Sequence, residues 1–488
     1  MLNGHVFVLH ADLADVAYDA VVLPTDSKFS VRDHWKAIGG EPKKSADFDN
    51  DHFTRGHGNT WWVDVTTDGA PDLYALQRNL SACLAQIGDL LHPTARVAVP
   101  VLGVNGGGLD QESGVAQARL LDTLRKSAET HQLDILLVAR DEWRYRALQA
   151  VRLGDPGRWF PGIAPAGAPP SLDFAERLGR RARTGDLSLL LGAGVSIGAG
   201  LPDWSELVTG LGSLTQLPPS INAEQLAQLS PLDRAELLHR TNPKLAETVV
   251  KQLRKIEKPG VAHFLLAALG VHQVATTNYD QLYEQAVRSA DPDHPCTVIP
   301  YERPSGGNPW LLKLHGDLDH PDDIVLTRAQ FVAYNSRHRP AGALFQSMLL
   351  TSHLLVVGAS FTDDNVLRLV HEVRDYLQVK SGTSSLGTVL TLHPEPARSL
   401  LWKGELDWVD VERDGDAPER VLDILLDAVA MYSCAEPASV LDERYDSQLG
   451  EQERDLAQRL RLIAGDVEKQ GGRAWQGLKD AFTGLGYR

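Results

Sequence analysis

The sequence predicts an α/β protein with more than one domain, its larger part built on a doubly wound, Rossmann-like parallel sheet. Three observations lead there. Short apolar runs alternate with segments of helical periodicity along most of the chain. Several of these runs, such as Leu354–Val357, are apolar throughout, as expected of parallel strands covered on both faces. The stretch GDPGRWFPGIAPAGAPP, Gly154–Pro170, is so dense in proline and glycine that it rules out a regular element and reads as a linker. A length of 488 residues exceeds one hydrophobic core, so two or three domains are expected.

In chain order, the first domain spans residues 1–155. It opens with the strand HVFVLH and continues with the strands DAVVLP (Asp19–Pro24), RVAVPVLG (Arg96–Gly103) and DILLVAR (Asp134–Arg140). Helical patterns lie between them in YALQRNLSACLAQIGDLL and QARLLDTLRKSAETH. The linker takes residues 156–171 and the second domain residues 172–430. Its strands are Leu187–Leu191, His272–Thr276, Trp310–Leu314, Leu354–Val357, Thr388–Leu392 and Trp408–Glu412. A helical insertion over residues 205–269, broken at Leu217–Ser220 and Asn242–Lys244, separates the first two. Residues 431–488 read as a helical C-terminal tail.

Composition narrows the function. With 48 basic and 64 acidic residues the formal net charge is −16, which argues against a surface that coats nucleic acid or a polybasic membrane patch. The three cysteines, Cys83, Cys296 and Cys434, are scattered, so neither a disulfide framework nor a zinc site is expected. No apolar stretch reaches the roughly 20 residues that span a bilayer, and the N-terminus lacks the basic flank of a signal peptide. The expectation is a cytoplasmic protein that binds no membrane.

Four polar signatures each follow an apolar run. LLLGAGVSIGAGLPDW (Leu189–Trp204) carries a strand into Gly192-Ala193-Gly194, a turn where backbone N–H groups and a helix start suit a phosphate. VATTNYDQLYE brings Thr277, Asn278 and Asp280 to the end of the next strand. LLKLHGDLD places His315 directly after a strand, and LLVVGASFTDD ends a strand at Gly358-Ala359-Ser360. Each has a plain explanation alone. Asp203 with Glu206 is a capping box, Asp280 and Asp363 are N-caps, Asn278 is turn chemistry, and His315 is a structural histidine. Capping does not explain all four together, at the carboxyl edge of one sheet, where doubly wound folds bind ligands.

In that order the signatures resemble the sirtuin family, whose motifs are GAG-x-S…AG-[IL]-P-D, T-x-N-x-D, H-G and G-x-S. The resemblance covers roughly Leu187 to Glu412 and implies NAD as the ligand. It implies that Gly192, Ala193, Gly194 and Ser196 line the pyrophosphate and ribose, with Asp203 and Thr277 in the same binding set. Asn278 and Asp280 would face the nicotinamide and its ribose, His315 would be the general base there, and Gly358 and Ser360 would hold the adenosine side. Two departures matter. Asp203 is followed by Trp204-Ser205 rather than Phe-Arg, and no cysteine lies between His315 and Gly358, where sirtuin deacylases insert a four-cysteine zinc module. The chain thus looks more like the zinc-less sirtuin-like domains of bacterial anti-phage systems. That likeness implies a gated NAD glycohydrolase, depleting NAD in infected cells, without zinc. It further implies a homo-oligomer activated by a partner such as an ATPase, an Argonaute or a phage protein, with no direct nucleic-acid binding. An NAD-dependent protein deacylase and a non-catalytic NAD or ADP-ribose sensor are the alternatives.

The first domain resembles a macro domain. ADL…DAVVLPTD, within His10–Asp26, parallels that family's opening, and Ala98–Leu109 its second ligand loop, although Asp26 replaces the motif's last Asn. The likeness implies Asp12 at adenine and Val104–Gly108 at the phosphates; Asp12 as a plain N-cap is the alternative.

Overall fold

The structure, a computed structural model, describes residues 3–67, 70–103, 113–162, 172–215, 217–218, 221–305, 307–377, 385–411, 415–434 and 439–487. It divides into two compact units, Met1–Pro161 with Cys434–Arg488, and Gly162–Ser433.

The first unit holds a six-stranded sheet of β1 (Val6–His10), β2 (Ala20–Thr25), β3 (Phe53–Arg55), β4 (Thr60–Asp64), β5 (Arg96–Pro100) and β6 (Asp134–Ala139). The order is β1-β6-β5-β2-β4-β3, and only the β3–β4 pair is antiparallel. The four strands legible as apolar runs are β1, β2, β5 and β6. Of the pair β3–β4, β3 escapes such a reading because it is three residues long, with one apolar side chain, and lies at the sheet edge. Helices Leu73–Leu90 and Ser113–His131 occupy the two long periodic stretches.

Two sequence expectations are adjusted here. Pro156–Trp159, inside the stretch read as linker, is a helical turn with proline in its first turn, and it buries Trp159 and Phe160. The Arg152 guanidinium lies 4.8 Å from the Phe160 ring centre. Residues 163–171 of the linker lie outside the described residues, as do Val104–Gly108. The tail groups with this unit. Its helices Glu451–Glu468 and Gln476–Gly484 close a small core of Leu441, Ala457, Ala464, Val467 and Phe482. Tyr445 stands edge-on to Trp143 at 5.9 Å and accepts a hydrogen bond from Gln117 Nε2 at 2.8 Å. Periodicity shows that the tail is helical, but it carries no information about a surface 328 residues away along the chain. Asp12 caps a short 3₁₀ turn, its Oδ1 accepting from Ala14 N, with Arg140 Nε 3.6 Å from Oδ2.

The second unit holds seven parallel strands: β7 (Leu187–Leu191), β8 (Gln273–Thr276), β9 (Thr297–Ile299), β10 (Trp310–Lys313), β11 (His353–Val357), β12 (Gly387–Thr391) and β13 (Leu406–Asp410). Their order is β9-β10-β8-β7-β11-β12-β13, all neighbours parallel. The chain starts at the centre, runs outward to one side, then returns to place β11 on the other side of β7. The switch in strand order therefore falls at β7–β11, and β7, β11 and β12 are buried along their whole length. Among the described residues the helical insertion is five helices between Trp204 and Ala267, with a break between Thr241 and Leu245 as the Asn-Pro-Lys signal predicts. Its core of Leu207, Val208, Leu211, Leu238, Leu245 and Val249 also takes in Tyr279 and Leu282 from the end of β8. That packing fixes the insertion over the carboxyl edge of the sheet.

Candidate active site

The four sequence signatures sit on β10, β8, β7 and β11, four strands adjacent in the sheet. Their carboxyl ends floor a cleft of about 830 Å³ within the second unit. Gly192, Ala193, Gly194, Ser196, Asp203, Thr277, Asn278, Asp280, His315, Gly358 and Ser360 all line it. The insertion supplies the opposite wall through Trp204–Leu207 and Ser230–Leu232, and Arg328 and Phe331 close one side.

The glycines have a different first duty from the one read in the sequence. A Cβ on Gly192 would lie 2.5 Å from Ala359 Cα, and one on Gly194 2.7 Å from Gly358 Cα. Gly194 N donates to Gly358 O at 2.8 Å. The close approach is thus between the two strand ends at the switch point, which brings both loops into one cleft. The helix after β7, Gly194–Ile197, is a single turn, so its dipole offers an anion less than the expected helix start. Gly358 has φ +68, and a Cβ there would meet Val195 N at 2.3 Å. Gly358→Ala is accordingly expected to cost about 2 kcal/mol or more of stability, from left-handed backbone strain plus backbone overlap. Denaturant titration checks this; an unchanged midpoint and slope would refute it.

His315 follows β10, buried at 5% exposure, with Phe331 and Tyr334 edge-on to its ring at 5.2 and 5.8 Å. Its Nε2 lies 3.2 Å from Asp363 Oδ2, close enough to feel the charge but not aligned for a hydrogen bond. Burial pushes the imidazole pKa down from its usual value and Asp363 opposes the shift. The shift favours the neutral imidazole. Asp363 also serves as the expected cap, its Oδ1 accepting from Asn365 N and Val366 N at 2.9 and 3.0 Å.

Asn278 is held from both ends. Its backbone N donates to Thr276 Oγ1 at 3.0 Å, and its Nδ2 donates to Gly192 O at 3.0 Å and Ser196 Oγ at 3.4 Å. With Nδ2 spent inside the protein, Oδ1 is what the amide offers the cleft, an acceptor. Asp280 accepts from Leu282 N with Oδ1 at 3.1 Å and from Ser196 Oγ with Oδ2 at 3.0 Å. Asp203 completes a capping box with Glu206 while lining the cleft. Thr277 N donates to Leu191 O, tying β8 to β7, and Ser360 pairs its hydroxyl with Thr362 at the exposed rim.

Three further residues belong to this arrangement. Besides Asp363, they are His263, which touches Ser196, and Lys313. The Lys313 ammonium is fully buried, donating to Asp280 O at 2.5 Å, and lies 2.6 Å from Glu284 Oε1 and 3.0 Å from Asp317 Oδ2. Both His263 and Lys313 left a signal: a charge inside the apolar run LLKLH, and a polar ring inside VAHFLLAALG. Among the described residues no group of three or more His, Cys, Asp or Glu could hold a metal ion, and no helix is long and apolar enough to cross a membrane.

Burial pushes His263 and also His353 down to about 4. In the unfolded chain each titrates near 6.5, so the unfolded state binds protons that the native state refuses below that pH. Stability is therefore full above pH 6.5 and falls toward pH 4 by about 1.4 kcal/mol per pH unit for each histidine. Urea unfolding of the protein at pH 7 and pH 5 tests this; equal stabilities would contradict it.

Residues 272–404 match the family model described as a SIR2-like domain. That match spans β8 to the turn before β13 and includes Asn278, His315 and Gly358. Among curated proteins, the chain is 28% identical over 209 residues to the NAD(+) hydrolase ThsA of Enterococcus faecium, covering 41% of this chain and 42% of that protein. It is 26% identical over 208 residues to the protein of the same name from Acinetobacter baumannii (strain 532279), covering 42% of each. Over 217 residues it is 24% identical to the defense-associated sirtuin 2 of Bacillus subtilis, covering 42% of this chain and 21% of that protein. The matches thus span less than half the length of these relatives. Residues 272–404 of the second unit thus resemble a SIR2-like domain, and the sheet that carries them is the parallel, Rossmann-like sheet the sequence predicts.

Proposed function

We propose that the second unit, which carries this sirtuin-like domain, hydrolyses NAD to nicotinamide and ADP-ribose, and that the chain is a gated cytoplasmic effector that defends against phage by depleting NAD. The observation that carries the reading is the convergence of Asn278, Asp280 and the buried, neutral His315 in one cleft of about 830 Å³, a size that suits a dinucleotide. Proteins named NAD(+) hydrolase among its relatives support it.

The chemistry follows from the residues. The bond from nicotinamide N1 to ribose C1′ breaks with its electron pair leaving on nicotinamide, and positive charge develops on the ribose. The Asp280 carboxylate, fixed through both oxygens, offers negative charge to that centre. Asn278 Oδ1 accepts from and so orients the attacking water or the carboxamide. Water bonds to C1′, and His315 takes the proton released from it or from a ribose hydroxyl. Gly192–Gly194, Ser196, Asp203, Thr277, Gly358 and Ser360 form the remaining binding surface. Unrestrained hydrolysis would poison the host, so gating through self-association or an activating partner is part of the proposal.

Incubating the purified chain with NAD and separating the products tests the reading. Free nicotinamide with ADP-ribose supports it. Nicotinamide released only with an acylated peptide would make the protein a deacylase, and NAD binding without turnover in any assembly state would make it a sensor.

A further inference from the structure

His263 does not line the cleft. It is 1% exposed, at the third position of helix Val261–Ala267, behind the loop that carries Ser196. Its Nδ1 accepts the backbone N–H of Gly260 at 3.1 Å. An amide N–H can only donate, so the ring's lone pair is on Nδ1 and, in the neutral ring, its hydrogen is on Nε2. Nε2 lies 3.2 Å from Ser196 Oγ. The serine oxygen therefore accepts from the ring, and its own single hydrogen goes to Asp280 Oδ2 at 3.0 Å. The chain of hydrogen bonds runs one way, from Gly260 through His263 and Ser196 to the carboxylate. The Asn278 amide enters the same serine oxygen as a second donor at 3.4 Å.

We infer that His263 is a positioning residue that acts through Ser196: by donating from Nε2 it compels the serine hydroxyl to donate to Asp280 and so fixes Asp280 and Asn278 for work on the nicotinamide ribose. The opposite tautomer would set an N–H against the Gly260 N–H and turn the serine hydrogen away from Asp280. The same direction excludes Ser196 as a nucleophile, because the ring beside it donates a proton rather than accepting one. Glutamine is the conservative replacement. At a third helical position its Oε1 reaches back to the N-cap N–H, and its Nε2 is left to donate to Ser196.

This inference rests on the proposed NAD hydrolysis for its rate readout, and its test separates the two. In ¹⁵N-histidine-labelled wild-type protein at pH 7, His263 is expected as the neutral Nε2–H tautomer; the Nδ1–H tautomer or an imidazolium would overturn the inference whether or not NAD turns over. In the activity assay, His263→Ala is expected to lower kcat by about 10- to 100-fold with KM changed by no more than about 3-fold, and His263→Gln to recover most of it. In a Ser196→Ala background, His263→Ala should add less than about 2-fold, because its route is already cut. Multiplying effects, or a kcat of His263→Ala equal to wild type, would overturn the inference while leaving the hydrolase reading intact. If wild type releases no nicotinamide in any assembly state, the hydrolase reading fails and the tautomer alone decides the inference.

Discussion

Alanine at His315 is expected to lower NAD turnover by about 10²-fold or more, equivalent to about 2.7 kcal/mol of lost transition-state stabilisation, while fold and NAD binding persist. Asn278→Ala should cost a similar factor, for a different reason. In the proposed mechanism His315 is the proton acceptor, so the wild-type rate should fall in acid as the ring takes a proton from solvent. Burial lowers its pKa, so the midpoint should lie below 6.5. His315→Ala should remove that limb from the pH–rate profile. Asn278 offers a fixed acceptor and moves no proton, so Asn278→Ala should lower the whole profile and keep its shape. Initial rates across pH 5 to 8 check both statements. Wild-type turnover in both variants would dismiss the site.

The second large effect is on stability. The Lys313 ammonium is fully buried between Glu284 and Asp317, and burial by itself pushes Glu284 up while Lys313 pulls it down. Lys313→Met keeps the stem's bulk and removes the charge, leaving two buried carboxylates without their shared cation. Breaking such a pair costs about 3–5 kcal/mol. The loss should shrink on moderate acidification, as one of the orphaned carboxyls takes a proton. Urea titrations at pH 7 and pH 5.5 for both proteins give the comparison. A loss under about 1 kcal/mol at pH 7 would mean that the cluster is not what holds this end of β10.

How much of this was legible in the sequence differs by element. The apolar strands of both sheets stand out because burial on both faces leaves only apolar residues to place there. The motif residues stand out because glycines and polar side chains interrupt those runs at their ends, and all the residues so marked line one cleft. What could not be read is pairing at a distance. Nothing local shows that Gly192 needs its missing Cβ for Ala359, that Asp363 faces His315, or that His263 meets Ser196. Nor did the tail reveal its partner: the Gln117–Tyr445 contact is written in two helical patterns that look self-sufficient. The macro-like reading of residues 1–155 stays a proposal, and its phosphate loop at Val104–Gly108 falls outside the described residues.

Because the first unit is assembled from both ends of the chain, the order of synthesis matters. In chain order every strand and helix that builds the cleft precedes Tyr445 and the helices Glu451–Glu468 and Gln476–Gly484. Chains are synthesised at about 5–20 residues per second, and domains generally fold as units. For some seconds of synthesis the segments that build the cleft therefore exist while the first unit still lacks its tail. A chain stopped after Ser433 would keep the segments that line the cleft and lose the tail that completes the first unit.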